Sequence, residues 1–108
     1  NFYRSGSCGP WITTSDELSP PADLRVISRV NGEERQNEQV SEMIFSVEEI
    51  ISYLSMVMPL EPGDIIATGS PEGTGGSMEP QSWLSDGDQV EFEVPGIGIL
   101  KNTVVNES

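Results

Sequence analysis

The stretch Leu60-Glu-Pro-Gly-Asp-Ile-Ile-Ala-Thr-Gly-Ser-Pro-Glu-Gly73 places an apolar run between two turns. Glu61 to Asp64 has turn composition, because proline restricts φ and glycine tolerates positive φ. Ile65 to Ala67 has the length and character of a buried strand. Pro71 has no N–H to donate to a sheet, so it marks the end of that strand. We therefore expect a buried strand that leads into the turn Thr68-Gly69-Ser70.

That turn has two interpretations. Its hydroxyl groups and backbone amides could hold a small anion or a carbonyl oxygen. The same residues are also typical of a strand that simply ends in a loop, and the local pattern by itself favours this simpler interpretation.

A β-hairpin is predicted upstream of this stretch. Leu24 to Val30 alternates between apolar and polar residues, with Leu24, Val26, Ser28 and Val30 on one face. Asn31-Gly32 follows directly and is typical of a type I′ turn. The polar segment Glu33 to Gln39 is then the return strand, at an edge of the sheet.

An amphipathic helix is predicted at about residues 46–58. Ser46 is a suitable N-cap, and Glu49 completes a capping box with it. Pro59 ends the helix. The apolar stripe at spacings of three and four consists of Val47, Ile50, Ile51, Leu54 and Met58.

The downstream part predicts two more strands. The glycine-rich segment 72–77 lacks the Lys-Ser/Thr pair of a phosphate-binding loop. Trp83-Leu84 is expected to fill the core. Gln89 to Val94 alternates, with Val90, Phe92 and Val94 inward, and Ile97 to Val105 follows a Pro-Gly turn. Short strands with a single helix indicate the α+β class.

Charge and cysteine content restrict the partners and the compartment. Eighteen acidic and five basic residues give a net charge of −13, which argues against binding to nucleic acid or to anionic membranes. The single cysteine, Cys8, excludes an internal disulfide and suits a reducing compartment. No apolar run is long enough to span a membrane.

The residues alone provide no catalytic set. The chain has no histidine, which removes the commonest general base and the commonest metal ligand. Glu91 and Glu93 lie on the same side of a strand and could bind a divalent cation with a third ligand. The outward positions of an amphipathic strand explain this pair more simply.

Several motifs, in this order, resemble the fumarylacetoacetate hydrolase family. The opening stretch is similar to the family signature LxPGDxIxTGTPxG, and the resemblance extends over nearly the whole chain. The other matching segments are Gly9-Pro-Trp-Ile-Thr-Thr14, Val30-Asn-Gly-Glu33 with Gln36, Met43-Ile-Phe45, Leu84-Ser-Asp-Gly-Asp88 with Val90, and Gly96-Ile-Gly-Ile-Leu100 with Asn102.

The resemblance implies a mixed β-roll, a homodimer and an enzyme that depends on Mg²⁺ or Mn²⁺. The implied substrates are 2-oxo acids, with hydrolysis of acylpyruvate-type C–C bonds, decarboxylation of oxaloacetate-type acids or isomerisation of dienes. Residues 1–108 would be the C-terminal half of the catalytic domain, without the half that carries the metal ligands. Whether this chain alone is an enzyme therefore stays open. The alternative is a non-catalytic paralogue or subunit that keeps only the dimerisation part. The cytoplasm or the mitochondrial matrix is the expected location.

The resemblance also assigns the site residues. Ser70 occupies the position of the second threonine of TGTP, whose hydroxyl and amide bind a substrate carboxylate or carbonyl oxygen. Gly69 would allow close approach of the substrate, and Thr68 would stand at the end of the strand. We expect no catalytic residue and no metal ligand within this chain, because the family's Glu-x-Glu pair and Asp would lie upstream of Asn1. Tyr3 and Arg4 depart from the family pattern.

Overall fold

The computed structural model describes residues 6–106. Tyr3 and Arg4 lie outside the described residues. Four strands form one antiparallel sheet in the order β2-β1-β3-β4. One α-helix stands outside this sheet, so the predicted α+β class is confirmed. The elements are β1 (Arg25–Val30), β2 (Glu33–Gln39), α1 (Val47–Val57), β3 (Gln89–Val94) and β4 (Gly98–Thr103), with short 3₁₀ turns at Pro21–Asp23, Val40–Glu42 and Gly75–Ser77.

The predicted hairpin is confirmed. Asn31 and Gly32 have φ values of 52° and 81°, as a type I′ turn requires. The pairing of β1 with β2 shifts between Ser28 and Arg29, where the ladder is irregular. The polar strand β2 lies at one edge of the sheet, and β1 pairs on both sides.

Asn31 also connects the hairpin to β3. Its backbone N–H donates to the Gln89 carbonyl at 2.8 Å, and its side-chain oxygen accepts from the Gln89 N–H at 2.9 Å. Its side-chain nitrogen donates to Asp88 Oδ1 at 2.8 Å. The turn residue therefore sets the position of the third strand relative to the first two.

Asn31→Gly is expected to raise the pKa of Asp88 toward its ordinary value of 3.8. The hydrogen bond from Asn31 is the main cause that holds the pKa of Asp88 low, followed by the Ser85 backbone. Because the pKa is lower in the folded state, this carboxylate stabilises the fold above about pH 4, and its contribution is lost as the pH falls through the folded-state pKa. Glycine keeps the positive φ, so the turn itself remains.

Carbon-detected NMR titration of the carboxyl groups measures this effect. Asp16, whose pKa is lowered by a hydrogen bond from Thr14, is an internal control that should not change. An Asp88 pKa that is the same in both proteins would show that Asn31 does not act on it.

The helix lies where its sequence signals place it. Ser46 Oγ accepts from the Glu49 N–H, and the Glu49 carboxylate accepts from the Ser46 N–H, so the capping box is formed. Met58 is the C-cap. In the apolar stripe, Val47, Ile50 and Leu54 are half-buried, whereas Ile51 and Met58 are exposed.

The expected buried strand at Ile65 to Ala67 is not formed. The segment makes no strand pairing, and Ile65 is 81% exposed. An apolar run becomes a strand only where a neighbouring backbone offers hydrogen bonds, and none within residues 6–106 pairs with it. The prediction used the local pattern, which carries no information about such a neighbour.

Two aromatic residues expected in the core are also exposed. Phe92 is 44% exposed on the face of β3 that it shares with Val90 and Val94. Trp83 is 69% exposed, although its ring lies against Gly76. Phe92 and Trp83 are exposed for the same reason. Burial of a side chain requires a second surface that packs against it, and the described residues do not cover these two side chains. In the described part of the chain, the buried residues are Ile27 and Ser28, in β1, one of the two inner strands.

Candidate active-site wall

The stretch Leu60 to Gly73 begins with a side-chain-capped turn. The Asp64 N–H donates to the Glu61 carbonyl at 3.1 Å, and the Asp64 carboxylate accepts from the Glu61 N–H at 2.8 Å. Ser85 and Asp88 repeat the same pair of hydrogen bonds before β3. In each turn the aspartate side chain caps the backbone locally. Each turn therefore fixes where the segment after it starts.

Thr68-Gly69-Ser70 forms one side of a cavity of about 710 Å³. The other lining residues come from β1, β2, the start of α1 and the segments that flank these elements. The apolar lining residues are Pro21, Leu24, Val26, Val40, Met43, Ile44, Phe45, Val47, Ile50 and Pro71, and the polar ones outside the turn are Glu38, Gln39, Glu42 and Glu72. All three residues predicted to bind substrate thus lie on one cavity. A mainly apolar lining with a few polar groups is the usual form of a small-molecule site.

The turn leaves open space in front of Gly69. A Cβ atom at this position would meet no atom within 4 Å. This open space leaves room beside the backbone of Gly69, whose role in binding stays a prediction.

Gln36 of β2 holds this turn against the sheet. Its side-chain nitrogen donates to Pro71 O at 2.7 Å and to Ser70 Oγ at 2.9 Å. Its side-chain oxygen accepts from Ser28 Oγ at 2.8 Å. Gln36 belongs to a segment that resembles the family, but its sequence predicted no role for it. The available signal was its position on β2, in register with the buried polar Ser28.

Gly73 makes the second attachment of the turn to β2. Its Cα approaches the Arg35 backbone so closely that a Cβ would collide with the Arg35 carbonyl group. The cavity wall is therefore placed by two contacts with one strand.

Glu91 and Glu93 face the same side of β3, as predicted, and both are paired with cations. Glu91 lies 2.8 Å from Lys101 Nζ, and Glu93 lies 2.7 Å from Arg29 Nη1. The hydrogen bond from Lys101 lowers the pKa of Glu91 from its ordinary value of 4.5. These ion pairs occupy both carboxylates without a metal ion. Glu91 and Glu93 are nevertheless half-buried, whereas Phe92 on the opposite face is exposed, so the expected outward position of the two glutamates is not observed.

The described residues do not fit a metal centre. No group of three or more metal-ligating side chains comes together between residues 6 and 106. The carboxylates that line the cavity are Glu38, Glu42 and Glu72, and they do not form such a group. In the same residues, no helix is long and apolar enough to cross a membrane.

Solved structures with the same fold are available for comparison. The fumarylacetoacetate hydrolase from Exiguobacterium antarcticum is 44% identical, with a TM-score of 0.87 over 92% of this chain and 35% of that chain. A maleylpyruvate hydrolase from Sphingobium, solved in complex with manganese(II) and pyruvate, is 36% identical, with a TM-score of 0.82 over 93% of this chain and 35% of its own. A 2-hydroxyhepta-2,4-diene-1,7-dioate isomerase from Mycobacterium marinum is 41% identical, with a TM-score of 0.78 over 93% and 36%.

A curated relative and a family model agree with these structures. An uncharacterized protein from Staphylococcus saprophyticus is 39% identical over 105 residues, which are 95% of this chain and 35% of the relative. The chain thus spans about a third of the length of the proteins that it matches. The model of the fumarylacetoacetate hydrolase C-terminal domain matches residues 1–105. The chain belongs to the fumarylacetoacetate hydrolase family.

Proposed function

We propose that this chain supplies one wall of the substrate site of an enzyme that acts on 2-oxo acids. The reaction class is acylpyruvate-type C–C hydrolysis, oxaloacetate-type decarboxylation or diene isomerisation. The observation that carries the proposal is the position of Ser70, which lines the cavity beside the open space at Gly69. Residues 1–108 would form one part of a larger catalytic domain, which agrees with the share of its relatives that the chain covers.

The similar structures support this substrate class. One was solved with pyruvate, the simplest 2-oxo acid, and another is a diene-dioate isomerase. The manganese(II) ion in the first supports a divalent metal requirement, and we propose Mg²⁺ or Mn²⁺ for the whole protein. The described residues hold no ligand set for that ion.

The role of this chain is to bind and orient. The Ser70 hydroxyl would donate a hydrogen bond to a carboxylate or carbonyl oxygen of the substrate, and its backbone N–H is a second donor. Gly69 would let that oxygen approach the backbone. The apolar wall formed by Val40, Phe45 and Ile50 suits the hydrocarbon part of an acyl group.

Ser70→Ala is expected to weaken pyruvate binding about tenfold, since a hydrogen bond to a charged group contributes roughly 1.5–3 kcal/mol. Isothermal titration calorimetry measures the affinity, and the Gly69 and Ser70 amide signals in NMR spectra show where pyruvate binds. Ser55→Ala is the matched control, because the Ser55 hydroxyl donates to the Ser52 carbonyl on α1 and Ser55 does not line the cavity. Equal affinities of the Ser70→Ala and wild-type proteins would exclude Ser70 as a substrate contact.

An assay on the protein that carries this chain tests the reaction class. Acylpyruvates, oxaloacetate and dienoates are supplied with Mg²⁺, with Mn²⁺ and with a chelator. We expect metal-dependent turnover of at least one of them. Absence of turnover under all these conditions would favour the non-catalytic paralogue or subunit. Sedimentation of the same sample tests the homodimer, which is part of the proposal.

A further inference from the structure

Ser28, Gln36 and Ser70 form a continuous chain of hydrogen bonds from β1 to the cavity. Ser28 on β1 is 5% exposed, Gln36 on β2 is half-buried, and Ser70 is exposed at the cavity wall. Ser28 Oγ lies 2.8 Å from the side-chain oxygen of Gln36, and the side-chain nitrogen of Gln36 lies 2.9 Å from Ser70 Oγ. The side chain of Gln36 therefore links the buried hydroxyl of Ser28 to Ser70, the predicted substrate contact.

The orientation of the Gln36 amide is determined by its neighbours. The Pro71 carbonyl can only accept a hydrogen bond, so the atom 2.7 Å from it must be the amide nitrogen. The amide oxygen then faces Ser28, whose hydroxyl must donate to it. Ser28 is shielded from water, so this hydroxyl has little competition for its hydrogen.

This orientation decides the direction of the last hydrogen bond. The amide nitrogen has two hydrogens, of which one goes to Pro71 O and the other to Ser70 Oγ. Ser70 Oγ is thus the acceptor in its contact with Gln36. Within the part of the chain that the structure describes, no other group takes the Ser70 hydroxyl hydrogen.

We infer that Gln36, oriented by Ser28, is a positioning residue that reserves the Ser70 hydroxyl hydrogen for an oxygen of the substrate. This rests on the proposed function, in which Ser70 is the contact to the 2-oxo acid. An acceptor at position 36 would instead attract that hydrogen and leave the substrate oxygen facing a lone pair. The preferred ligand group is accordingly a carboxylate or carbonyl oxygen, which accepts and does not donate.

A double-mutant cycle on pyruvate affinity tests the inference. Glutamate has nearly the shape of glutamine, but its carboxylate only accepts hydrogen bonds, so it should capture the Ser70 hydrogen. We expect Gln36→Glu to weaken pyruvate binding about tenfold when Ser70 is present, and no more than about threefold in the Ser70→Ala protein. Equal losses in both backgrounds would overturn the inference, because the effect of an added charge on the bound pyruvate does not require the hydroxyl.

Ser28 provides a second, uncharged variant of the same test. Ser28→Ala removes the donor that orients the Gln36 amide. We expect it to weaken pyruvate binding less than Gln36→Glu does, and only in protein that retains Ser70. Ser28→Thr keeps the hydroxyl and should restore the affinity. A loss of equal size in Ser28→Ala and Ser28→Thr would indicate disturbed packing and would contradict the inference.

A measurement without ligand separates this inference from the proposed function. The exchange of side-chain amide hydrogens with solvent is measured in ¹⁵N-labelled protein. Those of Gln36 should exchange about tenfold more slowly than those of Gln39. Gln39 is the comparison because it is exposed and has no side-chain hydrogen bond in residues 6–106. Equal exchange rates would overturn the assigned hydrogen bonds. If the wild-type protein does not bind pyruvate, the proposed function fails, while slow exchange of Gln36 still supports the direction of its bond to Ser70.

Discussion

Gly73→Ala is expected to destabilise the fold by about 2–4 kcal/mol and to detach the Ser70 turn from β2. Gly73 has a φ of 96°, a region where an L-residue costs roughly 1–2 kcal/mol. A Cβ at this position would also collide with the Arg35 carbonyl group, so either the turn or β2 must move. Because β2 is held by its pairing with β1, we expect the turn to move.

Gly63→Ala is the matched control for this effect. Gly63 has a φ of 103°, but a Cβ there would meet nothing within 4 Å. It therefore carries the backbone strain without the collision, and about 1 kcal/mol of destabilisation is expected. Urea unfolding followed by circular dichroism measures both variants. Equal free energies of unfolding for the two variants would show that the contact with Arg35 is not tight.

Ile27→Ala is expected to destabilise the protein by about 2–4 kcal/mol, the usual cost of removing a buried isoleucine side chain beyond Cβ. Ile27 is 9% exposed and lies on β1, which pairs with β2 and with β3. Removal of the Ile27 side chain therefore leaves a gap at β1, on which the pairings with β2 and with β3 both depend. Ile27→Val, which removes a single methyl group, should cost about 1 kcal/mol.

Ile65→Ala is the control, since it makes the same chemical change at a side chain that is 81% exposed. A change within about 0.5 kcal/mol is expected there. The comparison uses the same unfolding measurement. A large effect at Ile65 would mean that this side chain is covered in solution, and the contrast with Ile27 would then disappear.

The elements predicted from the sequence were those with local chemistry. The capping box of Ser46 and Glu49 placed the start of α1, and Asn31-Gly32 placed the hairpin turn. Strand β3 lies at the residues that its pattern predicted, Gln89–Val94, although its burial does not alternate. In each case the stabilising groups lie within a few residues of one another, so a short window of sequence contains the necessary information.

The candidate site could be predicted only in part. The resemblance to a family motif pointed to Thr68-Gly69-Ser70, and the structure places these residues on the cavity. Their role in binding stays a prediction. The function of Gln36 could not be predicted, because its partners Ser28 and Ser70 are 8 and 34 residues away in the chain.

By itself, the sequence determined the helix, the hairpin, the turn types and the family of this protein. Only the tertiary structure decided which apolar residues are buried and which strand pairs with which. Ile27 and Ile65 show the reason, since the same side chain is buried in one place and exposed in the other. Capping and turn preferences depend on neighbours along the chain, whereas burial and strand pairing depend on a second surface that local sequence does not specify.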